Sequence, residues 1–470
     1  MTFLPLRARA MSGEEILFVG DSGGFFAGSP ELGARIAGLS LSSENRAFLA
    51  ERGLLVEDGD GLGASAHAYS VAERLTRAGA LDYMILVPTL RCNLSCTYCQ
   101  VSRAPVAAPG FDWTERTLAA VLERIGELPP DRIKIEFQGG EPTLRPDLIK
   151  AVIDACERFE EKQFVICTNL SRLTPELLDL YDRPDLYIST SLDGDADAHT
   201  RSRTETAEAT QSFLDNLCVI TSRYGPEKVS ALPTIDPRSP PAIDSLIDSF
   251  LKHGLTSVFL RPINFHGFAR KRHQASREQG SEWHLYHEAF VRRIIERNWQ
   301  DRSRVLEETY FSICLRRIFQ PGADRHVDLR NPNPIGVDYI VVDYDGTVYP
   351  TDEARMLSRS GVIDLSIGDI ETGWKGAARE ALNIHSTNQF DPHCTRCAYQ
   401  PYCGRDIVDD ISRYGRIDLP RPETEFCRRH LRLFDLAFEL IYDPDPAVRY
   451  SVSRWLRLAG TPPELGARYR

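Results

Sequence analysis

The chain has 470 residues, of which 42% are hydrophobic and 26% are charged, and its formal net charge is −11. This length predicts two to four domains with the composition of a globular protein. No apolar run approaches the roughly eighteen residues of a membrane span, no signal peptide is indicated, and the acidic balance argues against nucleic acid as a partner, so we expect a cytoplasmic protein.

Residues 1–75 are predicted to form a small α+β domain. Apolar segments at 15–20 and 24–29 flank the triplet Asp-Ser-Gly, which is a β-hairpin signal, and two helical patterns follow. Residues 58–66 are rich in glycine and are predicted to form a linker.

From residue 81 onward, apolar runs alternate with amphipathic helical segments. This alternation predicts an α/β fold with parallel strands, in which functional residues gather at the carboxyl ends of the strands. Six strands are predicted, at 83–90, 134–140, 164–169, 186–194, 229–235 and 257–263. We expect this domain to cover 81–300, followed by an irregular cysteine-bearing domain at 325–435 and a helical tail at 436–470.

Eleven cysteines in a chain expected in the cytoplasm do not indicate disulfides. Seven of them form two clusters. The other four lie in apolar sequence and are predicted to be small buried side chains: Cys156, Cys167, Cys218 and Cys314.

The first cluster is Cys92, Cys96 and Cys99 in "CNLSCTYC". A structural zinc ion would need a fourth protein ligand, and no histidine is near in sequence. A [4Fe–4S] cluster on three cysteines keeps one iron for an external ligand. The segment resembles the signature of radical S-adenosylmethionine (SAM) enzymes, in which SAM chelates that iron. The resemblance implies that Tyr98 lies beside the adenine.

A second motif follows the next predicted strand and consists of Gly139, Gly140, Glu141 and Pro142. Taken alone, this motif is typical of a turn before a helix. Placed after the cysteine cluster, it resembles the segment that holds the methionine amino group of SAM in the same family.

Two later strand ends resemble further motifs of that family. The resemblance implies that Ser191 contacts the ribose or carboxylate of SAM and that Asp193 is another cofactor-binding residue. Asn169 is expected at the SAM site, where its main part is to stabilise the barrel rim. Arg203 either reaches the SAM carboxylate or is an exposed arginine after a turn.

The second cluster is Cys394, Cys397, Cys403 and Cys427. Four thiolates suit zinc, and the spacing alone favours that ion. The spacing also resembles the SPASM extension of peptide-modifying radical SAM enzymes, which implies an auxiliary [4Fe–4S] cluster.

A complete SPASM region holds two auxiliary clusters, and this sequence departs from that pattern. Thr351 stands where the motif has a cysteine, and Ile407 stands where another ligand is expected. We therefore predict one SAM-binding cluster and one auxiliary cluster. Asp352 follows Thr351; similarity to sulfatase-maturing relatives implies a catalytic base there, and the alternative is an exposed turn carboxylate.

Together these resemblances imply a partial (β/α)6 radical SAM barrel between a small leader-recognition-like domain and an irregular SPASM-like iron–sulfur domain. Over its whole length the chain is most similar to the radical SAM maturases of His-Xaa-Ser repeat peptide systems. The segments "LPLRAR", "LRPINFHGFARK" and "VYPTDEARM" carry that narrower similarity.

The expected activity is reductive cleavage of SAM to a 5′-deoxyadenosyl radical, which abstracts hydrogen from a ribosomally made precursor peptide. The similarity implies three kinds of partner: a precursor peptide, to which the narrower similarity assigns His-Xaa-Ser repeats; an electron donor such as flavodoxin or ferredoxin; and a second maturase. Residues 1–75 would bind a leader by strand addition or would simply cap the barrel. Two alternatives are a sulfatase-maturase-like enzyme and a non-catalytic zinc or iron–sulfur scaffold.

Overall fold

The computed structural model describes residues 2–56, 59, 61–278, 280–321 and 326–469. The N-terminal part is an antiparallel sheet of three strands followed by helices. The predicted hairpin is present, and a third strand beside it was not predicted. The elements are β1 Thr2–Phe3, β2 Leu6–Ala10, β3 Ile16–Gly20, β4 Phe25–Gly28, α1 Pro30–Ala37, α2 Ser43–Glu51, β5 Leu55–Val56 and α3 Gly61–Arg74.

The linker predicted at residues 58–66 is wrong for its described part, since residues 61–66 belong to helix α3. Gly59, Gly61 and Gly63 suggested a break, but the leucine and alanines that accompany them in residues 61–66 favour helix. Residues 57, 58 and 60 lie outside the described residues.

The middle of the chain alternates strands and helices as predicted. Its elements are β6 Tyr83–Leu86, β7 Arg91–Cys92, β8 Ala104–Pro105, α4 Glu115–Glu127, β9 Arg132–Phe137, α5 Pro146–Ala155, β10 Glu161–Cys167, α6 Pro175–Tyr181, β11 Leu186–Ser191, α7 Ala196–His199, α8 Ala207–Tyr224, β12 Val229–Leu232, β13 Thr234–Ile235, α9 Ile243–Lys252, β14 Ser257–Val258, β15 Arg261–Pro262, α10 Ala269–Arg272, α11 Gly280–Gln300, β16 Glu307–Glu308 and α12 Thr309–Phe319.

Five parallel strands lie side by side in the order β12-β11-β10-β9-β6. The sixth predicted strand is present in two short pieces: β15 pairs with β13, and β14 pairs with β16. Along β9, the buried residues Ile133, Ile135 and Phe137 alternate with the half-buried Lys134 and Glu136. The apolar face therefore packs under the helices, and a partly polar face lines a cavity inside the curved sheet.

Residues 326–435 were predicted to be irregular, but they contain regular helices and strands. They contain β17 Tyr339–Val342, β18 Thr347–Tyr349, α13 Asp352–Arg359, β19 Gly368–Asp369, β20 Gly373–Trp374, α14 Gly376–Ile384, α15 Ile407–Tyr414 and the first part of α16 Glu425–Tyr442. Strand β17 pairs in parallel with β6 and continues the barrel sheet to nine strands. The short strands and frequent turns of this region concealed its regularity in sequence.

The tail predicted as helical over 436–470 is only partly so. Helix α16 crosses the predicted boundary, α17 Pro446–Trp455 follows, and residues 456–469 have no helix. The N-terminal sheet packs Leu17, Val19 and Ala27 into the main core, so this sheet does cap the body of the protein. In the described part of the chain, no helix has both the length and the apolar surface that a membrane crossing requires.

Candidate active site

The first cysteine cluster lies in the loop that leaves the carboxyl end of β6. Cys92, Cys96 and Cys99 all line a cavity of about 360 Å³ inside the barrel. The loop is fixed by main-chain hydrogen bonds: Thr97 N donates to Ser202 O at 2.9 Å, and Ala104 N donates to Leu90 O at 2.8 Å. The three sulfurs are thereby presented to one open space.

Gly139 and Gly140 bring the end of β9 against this cysteine loop. A Cβ atom on Gly140 would lie 2.3 Å from the carbonyl oxygens of both Leu90 and Arg91. Gly139 has φ +137°, and a Cβ there would lie 2.2 Å from Thr89 O. Any larger residue would therefore push the two loops apart.

Glu141 connects this turn to the next strand. Its Oε1 accepts hydrogen bonds from the Thr143 hydroxyl at 2.6 Å and the Thr168 hydroxyl at 2.8 Å, and its Oε2 accepts one from Asn169 N at 2.7 Å. Burial raises the pKa of the carboxyl group, although these donors oppose that rise. The carboxylate thus both lines the cavity and links two strand ends.

Tyr98 forms a buried group with Asp193 and Arg203. The Tyr98 hydroxyl donates to Asp193 Oδ2 at 2.5 Å and accepts from Arg203 Nη1 at 2.9 Å. Tyr98 and Arg203 line the cavity. Asp193 lies behind them, and its Oδ1 accepts a hydrogen bond from Thr234 N at 2.9 Å. Arg203 is therefore not an exposed turn arginine.

Asn169 and Ser191 also line the cavity, at the ends of β10 and β11. The Asn169 side chain donates to Asn93 Oδ1 at 2.9 Å and accepts from Ser171 N at 2.9 Å. Asn169 therefore ties the rim of β10 to the cysteine loop, while Ser191 faces the cavity.

Asp352 lies across the same cavity, at the start of α13. It is 9% exposed, and Arg355 Nε donates to its Oδ1 at 2.7 Å. It is therefore a buried, ion-paired carboxylate rather than an exposed turn residue.

Two features of the cavity were not predicted from sequence. Cys167 lines the cavity, and its Sγ is 3.3 Å from Glu136 Oε1, so the prediction of a plain buried cysteine is wrong for Cys167. The same prediction is wrong for Cys218, which is exposed. The segment after β15 covers the cysteine loop, since Phe268 N donates to Cys99 O at 3.0 Å and Gly267 lies against Gln100. The glycine in "NFHGF" was the available signal for that close approach.

The second cluster brings its four cysteines together between α14 and α16. Burial and the neighbouring thiols of Cys394, Cys427 and Cys397 raise the pKa of Cys403. Burial likewise raises the pKa of Cys427 to about 11, as it raises that of Cys92 in the first cluster to about 12. Such thiols become thiolates when a cation compensates the charge, which is what bound iron or zinc does.

Zinc and an iron–sulfur cluster place different demands on their cysteines. Within the described ranges, no three His, Cys, Asp or Glu side chains are close enough to share a single metal ion. A tetrahedral zinc ion needs that convergence, whereas the cysteines of a [4Fe–4S] cluster each bind a different iron. The second set has the four cysteines that either kind of site needs, and its auxiliary cluster stays a prediction.

Residues 86–223 match the Radical SAM superfamily. This match covers the cysteine loop, the Gly-Gly-Glu turn and the ends of β10 and β11. This segment therefore matches a radical SAM domain, and the rest of the chain lies outside the match.

Curated relatives share short segments with this chain. Uncharacterized protein MJ0907 of Methanocaldococcus jannaschii is 28% identical over 117 residues, which is 24% of this chain and 39% of the relative. GTP 3′,8-cyclase of Chlorobaculum tepidum is 38% identical over 73 residues, or 15% of this chain and 21% of the relative. The chain thus spans well under half of the curated relatives it matches.

Solved structures share the fold over a longer stretch. The structure of anSMEcpe with bound AdoMet has a TM-score of 0.59 at 16% identity, covering 76% of this chain and 97% of that one. Streptococcus suis SuiB bound to precursor peptide SuiA has a TM-score of 0.50 at 11% identity, covering 86% and 94%. At these identities the likeness is one of fold.

Proposed function

We propose that this protein is a radical SAM maturase that modifies a ribosomally made precursor peptide. The observation that carries the proposal is the cavity inside the barrel, where three cysteines from one loop, the Gly-Gly-Glu turn and Arg203 face the same space. Three cysteines would hold a [4Fe–4S] cluster that supplies an electron to SAM when both are bound.

The residues of the chain have separate parts in this proposal. Cys92, Cys96 and Cys99 would hold the cluster, and Gly140 keeps the Gly-Gly-Glu turn against their loop, where Glu141 and the main chain would meet the methionine end of SAM. Arg203, fixed by Tyr98, offers a positive charge to a carboxylate in the cavity. Asp352 is the candidate acceptor of a substrate proton from the opposite wall.

Anaerobic reconstitution with iron, sulfide, SAM and dithionite tests the reaction class. We expect about eight irons per chain and the release of 5′-deoxyadenosine. No cleavage of SAM by the fully reconstituted protein would overturn both this proposal and the sulfatase-maturase-like alternative. A content of about twelve irons would mean that a second auxiliary cluster exists.

A peptide substrate is supported by fold likeness to proteins crystallised with peptides. These are anSMEcpe with bound AdoMet and Cp18Cys peptide, and SuiB bound to precursor peptide SuiA. A small change in mass of one peptide, dependent on SAM, is the expected result. Modification of a folded sulfatase instead would favour the sulfatase-maturase-like alternative, and a non-catalytic scaffold would cleave no SAM.

We further propose that residues 1–75 bind the precursor's leader along β2. The opposite edge strand, β4, is already paired, because Ala27 N donates to Ala467 O at 3.0 Å and Tyr469 N donates to Ala27 O at 2.8 Å. On β2, the exposed Ala8 is opposite Phe18 in the register. Met11 N donates to Glu15 O, so Met11 and Glu15 form a hydrogen-bonded pair beside the β2–β3 strands. Hydrogen-bonded and non-hydrogen-bonded pairs alternate along antiparallel strands, so the Ala8 N–H points away from β3.

Ala8→Pro tests strand addition at this edge. Proline removes the outward N–H and leaves the bonds between β2 and β3 in place, so we expect precursor binding to weaken by about 10-fold with unchanged release of 5′-deoxyadenosine in the absence of peptide. Ala8→Val keeps the N–H and is the matched control. Equal affinity of the two variants, measured by fluorescence anisotropy of a labelled precursor, would leave residues 1–75 as a cap alone.

A further inference from the structure

Arg261 lies where two cavities meet. It is at the carboxyl end of the sixth barrel strand, in β15, and lines both the cavity of the cysteine loop and a neighbouring cavity of about 490 Å³. Val327, Glu353 and Asp406 also line both spaces. A ligand extending from one cavity into the other would pass the Arg261 guanidinium.

The guanidinium of Arg261 has no protein partner in the part of the chain that the structure describes. Its Nε is buried without a hydrogen-bond acceptor. Two arginines that are almost fully buried are by contrast paired with carboxylates: Arg355 Nε is 2.7 Å from Asp352 Oδ1, and Arg413 Nε is 2.8 Å from Asp409 Oδ1. Arg261 itself is half-buried, so its guanidinium is held at the cavity junction without a protein acceptor and is available to an anionic ligand.

The acidic groups at the junction do not supply that partner. Asp406 accepts hydrogen bonds from Val408 N at 2.9 Å and Asp409 N at 3.0 Å, at the start of α15. Glu353 is engaged in interactions of its own. Neither forms an ion pair with Arg261, which therefore remains the available charge at this point.

The neighbouring cavity has the size and lining of a peptide site. Its volume lies within the range of small-ligand pockets, and its walls include Phe259, Trp283 and Tyr310 together with polar groups. Arg203 already places a positive charge beside the cysteine loop, so the SAM carboxylate has a cation of its own. The carboxylate that meets Arg261 is then better supplied from the side of the second cavity.

We propose that Arg261 binds a carboxylate of the precursor peptide and so selects an acidic residue close to the modified position. This inference rests on the proposed peptide substrate. Arg261 is a specificity-determining residue in this proposal, and the second cavity holds the segment of peptide that carries the acid. The same chemistry would be met by the carboxylate of SAM, and the experiment separates the two sources.

The test uses the reconstituted holoenzyme and two synthetic probes. Each probe has three His-Xaa-Ser repeats, with Asp at one Xaa in the first and Asn there in the second. Arg261→Gln removes the charge, and Arg272→Gln is the control, because Arg272 is an exposed arginine of the next helix that lines neither cavity. Peptide affinity is measured by fluorescence anisotropy and SAM affinity by calorimetric titration.

We expect wild type to bind the Asp peptide about 10- to 100-fold more tightly than the Asn peptide. Arg261→Gln should lose this discrimination and keep the SAM affinity of wild type, with an unfolding temperature no lower than that of wild type. Arg272→Gln should behave as wild type in every measurement.

Other results overturn the proposal. A fall in SAM affinity in Arg261→Gln, without a change in peptide discrimination, assigns the carboxylate to SAM instead. If Arg261→Gln keeps its SAM affinity and wild type binds the two peptides equally or binds neither, then Arg261 has no carboxylate ligand and the proposal is refuted. Peptide binding is measured without turnover. A protein that cleaves no SAM would therefore refute the proposed reaction, and the comparison of Asp and Asn peptides would still test the role of Arg261.

Discussion

The two cysteine regions differ in what their sulfurs face. Cys92, Cys96 and Cys99 line the barrel cavity, where a small molecule can reach them. Cys394, Cys397, Cys403 and Cys427 line neither this cavity nor the neighbouring one. For the two proposed clusters, this difference fits a reaction centre in the first region and an electron carrier or structural element in the second.

The two regions also differ in what holds them. The first is fixed by main-chain bonds to strand ends and by glycines that allow close approach. The second is fixed by side chains from other parts of the chain: Arg421 pairs with Asp410 near Cys394, and Arg7 Nε donates to Thr395 O at 2.7 Å. The cysteine and glycine motifs of the first region are visible in local sequence, whereas the contact of Arg7 with the second region joins residues 388 positions apart.

Loss of one cysteine from each region is the strongest way to break this comparison. Cys96→Ala should reduce the iron content from about eight to about four per chain and abolish release of 5′-deoxyadenosine. Cys403→Ala should lose the other four irons and still cleave SAM without peptide. Iron analysis and chromatography of the nucleoside measure both.

The comparison fails if Cys403→Ala abolishes SAM cleavage as completely as Cys96→Ala. Circular dichroism of each variant serves as the control for folding. A Cys403→Ala protein with native spectrum and no SAM cleavage would show that the second region takes part in the reductive step.

The ion pair beside the second region gives a smaller effect. Asp410→Ala leaves the Arg421 guanidinium, 2% exposed, without its carboxylate, so we expect a loss of about 3 kcal/mol in the free energy of unfolding. The iron of the second cluster should decrease, and SAM cleavage should persist. Unfolding followed by circular dichroism and iron analysis are the measurements.

The control for Asp410→Ala is Asp418→Ala. Its partner Arg416 is 2.5 Å away, but both side chains are more than half exposed, so the loss should be within about 0.5 kcal/mol. Equal losses in the two variants would show that the buried pair has no special part in holding the second region.

Much of the barrel could be predicted because its signals are local. Alternating apolar runs gave the six strands, and the cysteine and glycine motifs at strand ends are brought to one cavity. The pairing of β17 with β6 could not be predicted, since it joins residues more than 250 positions apart through a strand of four residues. Periodicity alone does not tell which sheet a short apolar strand will join.

The partners of individual side chains could not be predicted from the sequence either. Nothing in "TDEARM" shows that Arg355 turns back to pair with Asp352, and nothing in "LRPIN" shows that Arg261 has no such partner. Asp193 was grouped with the cavity residues by motif, yet it lies one layer behind, under Tyr98. These distinctions depend on tertiary packing, which motif spacing does not encode. The auxiliary cluster, the SPASM-like character and the domain limits stay predictions.

The smallest expected effect concerns the segment that joins the two regions. His266, in the loop covering the first cysteines, is buried, and its Nδ1 is 3.2 Å from the Ser412 hydroxyl of α15. Burial lowers the pKa of His266 to about 4; Asp409 opposes this shift, and Arg413, Arg270 and Arg261 add to it. The loop over the first region and the helix beside the second therefore share a neutral buried histidine.

Acid should weaken this connection. Between pH 6.5 and 4 the unfolded chain binds a proton at His266 that the native chain does not, so stability is lost as the pH falls through the unfolded pKa. At pH 5.5 the loss is about 1 kcal/mol relative to pH 7.5. The free-energy difference between wild type and His266→Gln should shrink by that amount, measured by unfolding of the anaerobic holoenzyme, whereas His385→Gln, at an exposed position, should keep a constant difference. The same pH dependence in wild type and His266→Gln would mean that this histidine is protonated in the native protein, and that the two regions are not joined through a neutral ring.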